Sequence, residues 1–576
     1  MNRNNERHFN NIPKMNVSRS RFKMKQDIKL TLDAGKLIPF YVAETLPGDT
    51  FSVDTAGICR MSTPIYPVMD NCYLDIYYFH VPMRIVWEHA KEFFGENNET
   101  AWTQTTEYTI PQLTLEGKRQ ITNIPLENSL LDYMGIPTKI VPPTGEKSFK
   151  VNALPLRAYT KIWNEWFRDQ NVDNPAILLT GDTGGTYVDE EDMIKDEILK
   201  NAELGGRPLW VNKFHDRFTS ALPSPQKGEP ILIPLSGNAP VKTYSDTNRT
   251  EELKGTWWYN GQHFSNGIDN QPYFTNLGGE YGVRTGLIAK QPQSANISGS
   301  YVTKYTTDES DLFKTQYWGV DLSQVQAATI NNLRQAFAVQ QFMEADARGG
   351  TRYREIIHNH FGVDIDDKTV QIPEYLGGQR YMINVSQVVQ TSATDSTSPQ
   401  GNAAAISVTP FKENSFTKSF QEHGYVIGVC CIRNDNTYQQ GLDKMWSRTE
   451  KYDFYWPEFA HLGEQAILNK EIYLQGNSED EKAFGYQEAY SEYRMTANRV
   501  CGAFRSNATQ PLDAWHYADN YSKLPTLSQD WLATDKANIS RTIAVQNQPQ
   551  FIMDVLVEND AVRPMPIYGT PGLTKL

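Results

Sequence analysis

The sequence has few cysteines and no long apolar run, and each absence excludes a class of protein. An odd number of cysteines in 576 residues, without CxxC spacing, argues against a disulfide framework or a zinc site. We expect all five to be small buried side chains in a reducing cytoplasm: Cys59, Cys72, Cys430, Cys431 and Cys501. No apolar stretch approaches the ~18 residues needed to cross a bilayer. The basic N-terminus has no apolar signal segment, so we predict a cytoplasmic protein without membrane insertion.

The common catalytic motifs are also missing. The sequence contains no GxxxxGK[ST], GxGxxG, HExxH or GxSxG pattern. Asp182–Gly184 matches the tripeptide of aspartic proteases, which need two such carboxylates sharing a proton. Gly185 follows where those enzymes favour Ser or Ala, and GDTGGT is typical of a turn. We therefore predict that the protein is not an enzyme and has no catalytic residues.

Two groups of polar residues suggest metal ligands but fit that role poorly. His358 and His360 are two residues apart, so on a helix their side chains point about 200° away from each other. Asp364, Asp366 and Asp367 lack the remaining ligands of a calcium loop and are more typical of a solvated turn. We expect no metal and no cofactor.

Positive charge is concentrated at the N-terminus. The whole chain has a formal net charge of −13, whereas residues 1–30 contain eight Lys or Arg against two acidic residues. Basic arms commonly contact the phosphates of nucleic acids or membranes, although a disordered tail that only aids solubility is an equal alternative. We predict a basic arm over residues 1–30, with these nucleic-acid contacts: Arg19, Arg21, Lys23 and Lys25.

Short segments rich in Val, Ile, Tyr and Phe predict a mainly β protein. We predict strands at 37–43, 51–59, 72–81, 381–389, 404–409, 424–432, 470–474 and 551–558. Residues 425–432 are apolar on both faces, which indicates a strand buried between two layers. The unequal and often long connections favour a jelly-roll sandwich over a repeat fold or a parallel α/β sheet.

Helices are predicted within the long connections. One covers 325–347 and aligns four apolar residues along one side: Ile330, Leu333, Phe337 and Met343. A second covers 352–361 and would turn four residues inward: Tyr353, Ile356, Ile357 and Phe361.

A third predicted helix covers 154–171 and carries five large apolar side chains on one face: Tyr159, Ile162, Trp163, Trp166 and Phe167. So much aromatic surface predicts a dense joint, and we assign Trp163, Trp166 and Phe167 to packing or assembly.

Residues 230–310 differ in composition from the rest of the chain. They are rich in Gly, Asn, Thr, Ser and Gln, with bursts of aromatics such as Trp257–Tyr259. A disordered linker rarely carries so many aromatic residues. We therefore predict an ordered, surface-exposed insertion.

Several strings resemble one protein family. LPLRAYTKIWNEWFRDQN (154–171) closely resembles the signature helix of the gokushovirus major capsid proteins, in the single-stranded DNA phage family Microviridae. LIPFYVAETLPGDTF (37–51) and STPIYPVMDNCYLDIYYFHVP (62–82) are similar to the opening strands of that family. ARGGTRYREIIHNHFGV (347–363) and the C-terminal third resemble later blocks. Ser224 departs from the pattern, because many relatives carry Trp there.

The resemblance implies a viral jelly roll of eight strands, with residues 31–576 forming one capsid domain with insertions. It also implies sixty copies in a T=1 icosahedral shell around circular single-stranded DNA, with 230–310 as the candidate for a threefold protrusion. The implied partners are the packaged DNA, a small basic DNA-binding virion protein, an internal scaffolding protein, a pilot protein and a host surface receptor. Assembly would take place in the bacterial cytoplasm.

Two classes of function remain open from the residues alone. In a self-assembling structural protein, aromatic residues of the C-terminal third would anchor contacts between subunits: Trp446, Tyr455, Trp456 and Trp515. In a β-rich glycan-binding or glycan-hydrolysing protein, the same rings would stack on sugars, and hydrolysis would need a carboxylate pair across a cleft. No such pair can be located in the sequence. The family resemblance favours the structural protein.

Overall fold

The computed structural model describes most of the chain. The described residues are 17–97, 106–116, 127–138, 148–187, 199–229, 231, 330–389, 391, 400–401 and 403–569, together with short strands between 241 and 320. The first 16 residues of the predicted arm lie outside this range.

Eight long strands form the two sheets of a sandwich. They are β1 Ser20–Leu32, β2 Ile38–Thr45, β3 Thr50–Met61, β4 Cys72–Pro82, β5 Glu374–Met382, β6 Thr409–Ser419, β7 Gly424–Asn434 and β8 Phe551–Arg563. One sheet has the order β1-β8-β3-β6 and the other has the order β5-β4-β7-β2. All neighbours within these sheets are antiparallel. This arrangement confirms the predicted eight-stranded jelly roll.

The main core lies between the two sheets. Along β8, every second residue from Phe551 to Val557 is buried, as expected of a strand with one face on the core. These side chains pack in one cluster with Phe51 and Val53 of β3 and with Ile76 of β4 from the facing sheet. The period-two pattern of the sequence therefore places the sandwich core correctly.

Strand β7 is buried on both faces, as its apolar sequence predicts. Val426 and Cys430 belong to the core between the sheets. Ile427, Val429 and Cys431 point the other way, into a second cluster formed with the connection between β4 and β5. The second sheet therefore lies between two apolar layers.

The long connections contain the remaining elements. The longer helices are α1 Leu154–Ile162, α2 Ile330–Gly349 and α3 Tyr353–Phe361, and α1 continues as a π-helical turn, Trp163–Phe167. Helices of four or five residues are Ala90–Phe93, Leu130–Tyr133, Gln529–Leu532 and Lys536–Ser540. Two-stranded pairs are Gln112–Glu116 with Ser148–Asn152, Val385–Val389 with Ala403–Ser407, Thr437–Tyr438 with Asn498–Arg499, and Glu464–Leu468 with Ala483–Glu488.

Short 3₁₀ turns are frequent, particularly between β7 and β8. They are Met83–Ile85, Leu199–Leu204, Lys444–Ser447, Lys451–Asp453, Pro457–Phe459, Asn469–Glu471, Ser478–Glu481, Ser491–Tyr493, Gly502–Phe504 and Asp513–Trp515. No helix in the described part of the chain is long and apolar enough to cross a membrane.

Three local predictions are wrong. The strand predicted at 470–474 is not formed, because the Glu471 carboxylate accepts the Leu468 amide hydrogen bond and closes a 3₁₀ turn. The inward face predicted for α3 is wrong at both ends, since Tyr353 is 66% exposed and Phe361 is 74% exposed. Cys501 is exposed, whereas the other four cysteines are buried as expected.

Residues Pro230–Gln341 form a second compact unit, distinct from the unit that contains the jelly roll. The described part of this unit includes a three-stranded sheet of Val241–Ser245, Asn248–Glu252 and Gln316–Val320. Two hairpins pair Trp257–Tyr259 with Gln262–Phe264 and Tyr273–Leu277 with Arg284–Ile288. The unit ends about thirty residues beyond the predicted boundary at 310, because it also takes in the start of α2.

Candidate assembly and nucleic-acid surfaces

The aromatic face of α1 packs against the subunit's own second sheet. Trp163 is 1% exposed and donates from Nε1 to the Trp210 carbonyl at 2.7 Å. The rings of Trp166 and Phe79 lie 5.5 Å apart between centroids, and the Phe167 ring lies 5.5 Å from that of Tyr77. These rings pack within the subunit, and Trp163 is buried there, so an assembly role stays a prediction that concerns Trp166 and Phe167 more than Trp163.

The π-helical turn at the end of α1 was not predicted. The Arg168 amide bonds to the Trp163 carbonyl at 3.0 Å, five residues back rather than four. This wider turn changes the direction of Trp166 and Phe167 relative to an ideal α-helix. Nothing in the 3.6-residue spacing of the sequence signals it.

The tripeptide Asp182–Gly184 is part of a tightly bonded turn. Arg157, which is buried, donates to the carbonyls of Gly181 and Thr183 at 2.8 and 2.7 Å. Hydrogen bonds from the Trp87 indole and from His89 lower the pKa of the Asp182 carboxyl. Gly184 leaves no room for a Cβ against the backbone of Gln112. Gly184 is therefore explained by close packing, and the hydrogen bonds keep Asp182 in its ionised form.

The two histidines of α3 face different carboxylates. His358 Nδ1 lies 2.8 Å from Asp364, whereas His360 Nε2 lies 2.8 Å from Asp346. The described residues contain no group of three or more His, Cys, Asp or Glu placed to bind a metal.

The last third of the predicted basic arm lies in strand β1, an edge strand of the first sheet. Arg21 pairs with Asp560, and Lys25 pairs with Glu558, both on the adjacent strand β8. These hydrogen bonds lower the pKa values of Asp560 and Glu558. The arm boundary predicted at residue 30 therefore falls inside a strand, and two of its four candidate DNA contacts are already in ion pairs.

The other two basic residues are less engaged. Lys23 lies opposite Asp560 in the strand register, but no described carboxylate is within ion-pair distance of its ammonium group. Arg19 precedes β1, and its guanidinium lies close to Gly48. A polyanion would therefore find Arg19 and Lys23 easier to engage than Arg21 and Lys25.

A buried ion cluster ties the second sheet to a distant part of the chain. The Asp75 carboxylate is 1% exposed and accepts from Arg380 Nε at 2.6 Å and from Arg433. Both guanidinium groups lie 4.3 Å from the centre of the Phe214 ring. Because Arg433 also approaches the Asn212 carbonyl, the cluster joins β4, β5 and β7 to the segment 212–214.

His80 makes the stability of the sandwich sensitive to acid. It is buried between Thr45, whose hydroxyl lies 3.2 Å from Nε2, and the Phe420 ring. Burial, reinforced by nearby Lys368, Lys418 and Arg84, lowers its pKa to about 3. Because the unfolded-state value is about 6.5, the neutral ring stabilises the fold above that pH, and the contribution falls as pH drops towards 3.

We expect wild-type subunits to lose about 2 kcal/mol of unfolding free energy from His80 alone between pH 6.5 and pH 5. His80→Gln should remove this part of the pH dependence, while His461→Gln, a change at an exposed histidine, should keep it. Denaturant unfolding at both pH values measures the difference. Parallel profiles for wild type and His80→Gln would contradict the assignment.

Comparison with known proteins identifies the family. The model of the family described as capsid protein (F protein) matches residues 10–573. The chain belongs to this capsid protein family. It is 38% identical to the capsid protein VP1 of Chlamydia phage 1 over 606 aligned residues, covering 99% of this chain and 98% of the relative. The VP1 proteins of Bdellovibrio phage phiMH2K and Spiroplasma virus 4 are 38% and 36% identical, with 96% or more of each chain covered.

This capsid protein is therefore a structural component of a virion of the Microviridae type. Its relatives are named as capsid proteins, and exposed apolar surfaces are the natural candidate sites for such a role.

One such surface of the capsid protein lies between β7 and β8. We call nine of the large apolar side chains there that are at least 40% exposed the aromatic shelf: Met445, Trp446, Tyr452, Phe454, Tyr455, Trp456, Leu462, Tyr493 and Met495. Three of the four aromatic anchors predicted for the C-terminal third belong to it. The fourth, Trp515, is half-buried and stacks on Tyr66 at 4.9 Å between ring centres.

Proposed function

We propose that the protein assembles as sixty copies into a T=1 icosahedral shell that encloses circular single-stranded DNA. The observation that carries this proposal is the match of a complete eight-stranded jelly roll to a phage capsid family over nearly the whole chain. Closed point-group symmetry keeps such an assembly finite. Assembly would take place in the host bacterial cytoplasm, with an internal scaffolding protein and a pilot protein as partners.

We propose further that the outer face of the first sheet, which points away from the core, lies towards the DNA along strand β1. Arg21, Lys23 and Lys25 occupy alternate positions of β1, so they share the face that points away from the core. Phosphate contacts by these side chains would release counterions from the DNA. Arg21 and Lys25 would have to exchange Asp560 and Glu558 for phosphate, which limits what they contribute.

The net charge of −13 supports a further cationic partner inside the shell. A shell of acidic subunits cannot neutralise an enclosed polyanion by bulk charge, and only local clusters such as β1 can do so. A small basic DNA-binding virion protein, polyamines or divalent cations would supply the remainder. The family resemblance favours the basic protein.

Replacing Arg19, Arg21, Lys23 and Lys25 together with Ser should lower the packaged DNA or the stability of the filled particle. If all four side chains bind phosphate, the negative slope of log affinity against log salt concentration should become shallower by about 0.7 for each phosphate contact that is lost. DNA content per particle and the salt dependence of DNA release measure the effect. The difference from wild type should shrink at high salt.

Two double variants separate DNA binding from sheet stability. Arg19→Ser with Lys23→Ser removes charges without a described ion-pair partner, whereas Arg21→Ser with Lys25→Ser also leaves Asp560 and Glu558 unpaired. We expect the first pair to affect DNA content and the second to affect subunit stability as well. Two outcomes would contradict DNA binding: normal DNA content in the quadruple variant, or a position of β1 on the outer surface of the shell. Either would indicate that the basic arm only holds neighbouring subunits together.

We also propose that the unit Pro230–Gln341 is the exposed protrusion that a host surface receptor recognises. Its aromatic and polar composition supports contacts with a receptor or with symmetry-related copies. Its compactness as a unit of its own supports a role outside the shell wall.

A further inference from the structure

Ring contacts link the tyrosines of the aromatic shelf. The Tyr455 ring lies 5.5 Å from that of Tyr490 and 6.4 Å from that of Tyr493, and Tyr452 is linked to them through Phe459. A monomeric protein rarely exposes an apolar surface of several such side chains together. A surface of this kind marks a place where another molecule binds.

The shelf is held in shape without long helices or strands. Asp453 accepts the amide hydrogen bonds of Thr449 and Glu450 at 2.7 and 2.8 Å, which fixes one 3₁₀ turn. Arg448 donates to the Asp453 carbonyl at 3.1 Å and to Glu492 at 2.7 Å, and its guanidinium lies 4.5 Å from the Tyr493 ring. Because these side chains are already ordered, binding would cost little conformational entropy.

Every arginine around the shelf is paired with a carboxylate of the same subunit. Besides Arg448 with Glu492, Arg499 pairs with Asp443 at 3.1 Å, and Arg494 pairs with Glu488. Such a surface offers no net positive charge to the phosphates of DNA, which dominate nucleic-acid binding. Exposed Trp and Tyr rings around a stacked arginine are instead the residues that anchor protein–protein contacts.

We propose that the aromatic shelf is a subunit–subunit contact of the shell, and that its occupant is a second copy of this chain. The inference rests on the proposed shell function and names the surface that performs it. A copy of the chain is the partner present at every shelf in a closed shell, so the apolar surface of all sixty subunits would be covered. The apolar surface of a second copy can pack on a shelf that has no net positive charge, whereas the phosphates of a nucleic acid would find no cations there.

The test compares two triple variants of the full-length protein. Trp446→Ser, Tyr452→Ser and Trp456→Ser remove anchors of the shelf, while Met69→Ser, Ile177→Ser and Tyr568→Ser remove exposed apolar side chains elsewhere. We expect the shelf variant to need roughly tenfold more protein to form shells, by sedimentation velocity, because hot-spot side chains dominate interface affinity. The control variant should assemble like wild type. Wild-type assembly by the shelf variant would overturn the proposal.

A second measurement uses only wild-type protein, so a folding defect in a variant cannot obscure the answer. Hydroxyl-radical labelling of Trp446 and Trp456 should fall several-fold in DNA-free shells relative to dissociated subunits. Equal labelling in both states would overturn the proposal. Protection that appears only in DNA-filled particles would also overturn it, because the occupant would then be nucleic acid. Labelling requires that shells form first. If wild-type protein forms no shells at all, the proposed shell function fails, and this outcome is distinct from a failure of the shelf proposal.

Discussion

Replacing Asp75 with Asn should lower the free energy of unfolding of the subunit by about 3–5 kcal/mol. The substitution keeps the shape of the side chain but removes the only negative charge in the described contacts of Arg380 and Arg433 around Phe214. The Arg433 side chain is 13% exposed, so water cannot replace the carboxylate there, whereas Arg380 is 47% exposed and water can solvate it, which favours the lower end of this range. Urea unfolding of dissociated subunits measures the change.

An exposed ion pair provides the matched control. Glu479 and Lys482 form a pair in which both side chains are largely open to solvent. Glu479→Gln should therefore change the unfolding free energy by less than about 1 kcal/mol. If Asp75→Asn costs no more than this control, solvent must reach Arg433 as well as Arg380, and the cluster would not be what joins the second sheet to the segment 212–214.

Deleting residues 230–341 and bridging the gap with a short Gly/Ser linker should strongly reduce host attachment while the jelly roll still folds. A Cβ added at Gly228 would lie 3.6 Å from the Met343 side chain, so the two sides of the deletion lie close together and a short bridge can close the gap. In the proposed shell, sixty attachment sites would act together on one particle, so their loss should reduce adsorption by roughly tenfold or more. Circular dichroism and thermal unfolding report the fold, and adsorption to host cells reports attachment.

The control for this deletion is the full-length chain with the same linker inserted between Glu229 and Pro230. It should keep both fold and adsorption. A truncated chain that collapses into unfolded aggregate would show that 230–341 belongs to the folding core. Normal adsorption by a folded truncated particle would assign attachment to another surface.

Sequence patterns located most sandwich strands because the buried face determines residue type at every second position. Strands β2, β3, β4, β7 and β8 all lie within a few residues of their predicted bounds. Strand β1 was missed because its outward face is almost entirely charged. β1 is stabilised by pairing with β8, whose residues lie more than 500 positions away in sequence. A local sequence pattern cannot indicate a partner strand at that distance.

Aromatic residues were predicted as contacts, but sequence could not tell which contacts lie inside the subunit. The rings of α1 and those of the aromatic shelf have similar composition, yet Trp163 is buried whereas Trp446 is 69% exposed. An apolar face indicates only that something covers it, and the second sheet covers α1. The exposed ends of α3 show the opposite error, where apolar spacing did not lead to burial.

Cryo-electron microscopy of the purified protein would show whether its subunits close into a shell, on which the proposed function depends. We predict closed icosahedral particles of sixty subunits, with the aromatic shelf covered by a neighbouring copy. Uniform monomers, under conditions where the subunits are folded, would contradict self-assembly and would favour the glycan-binding alternative.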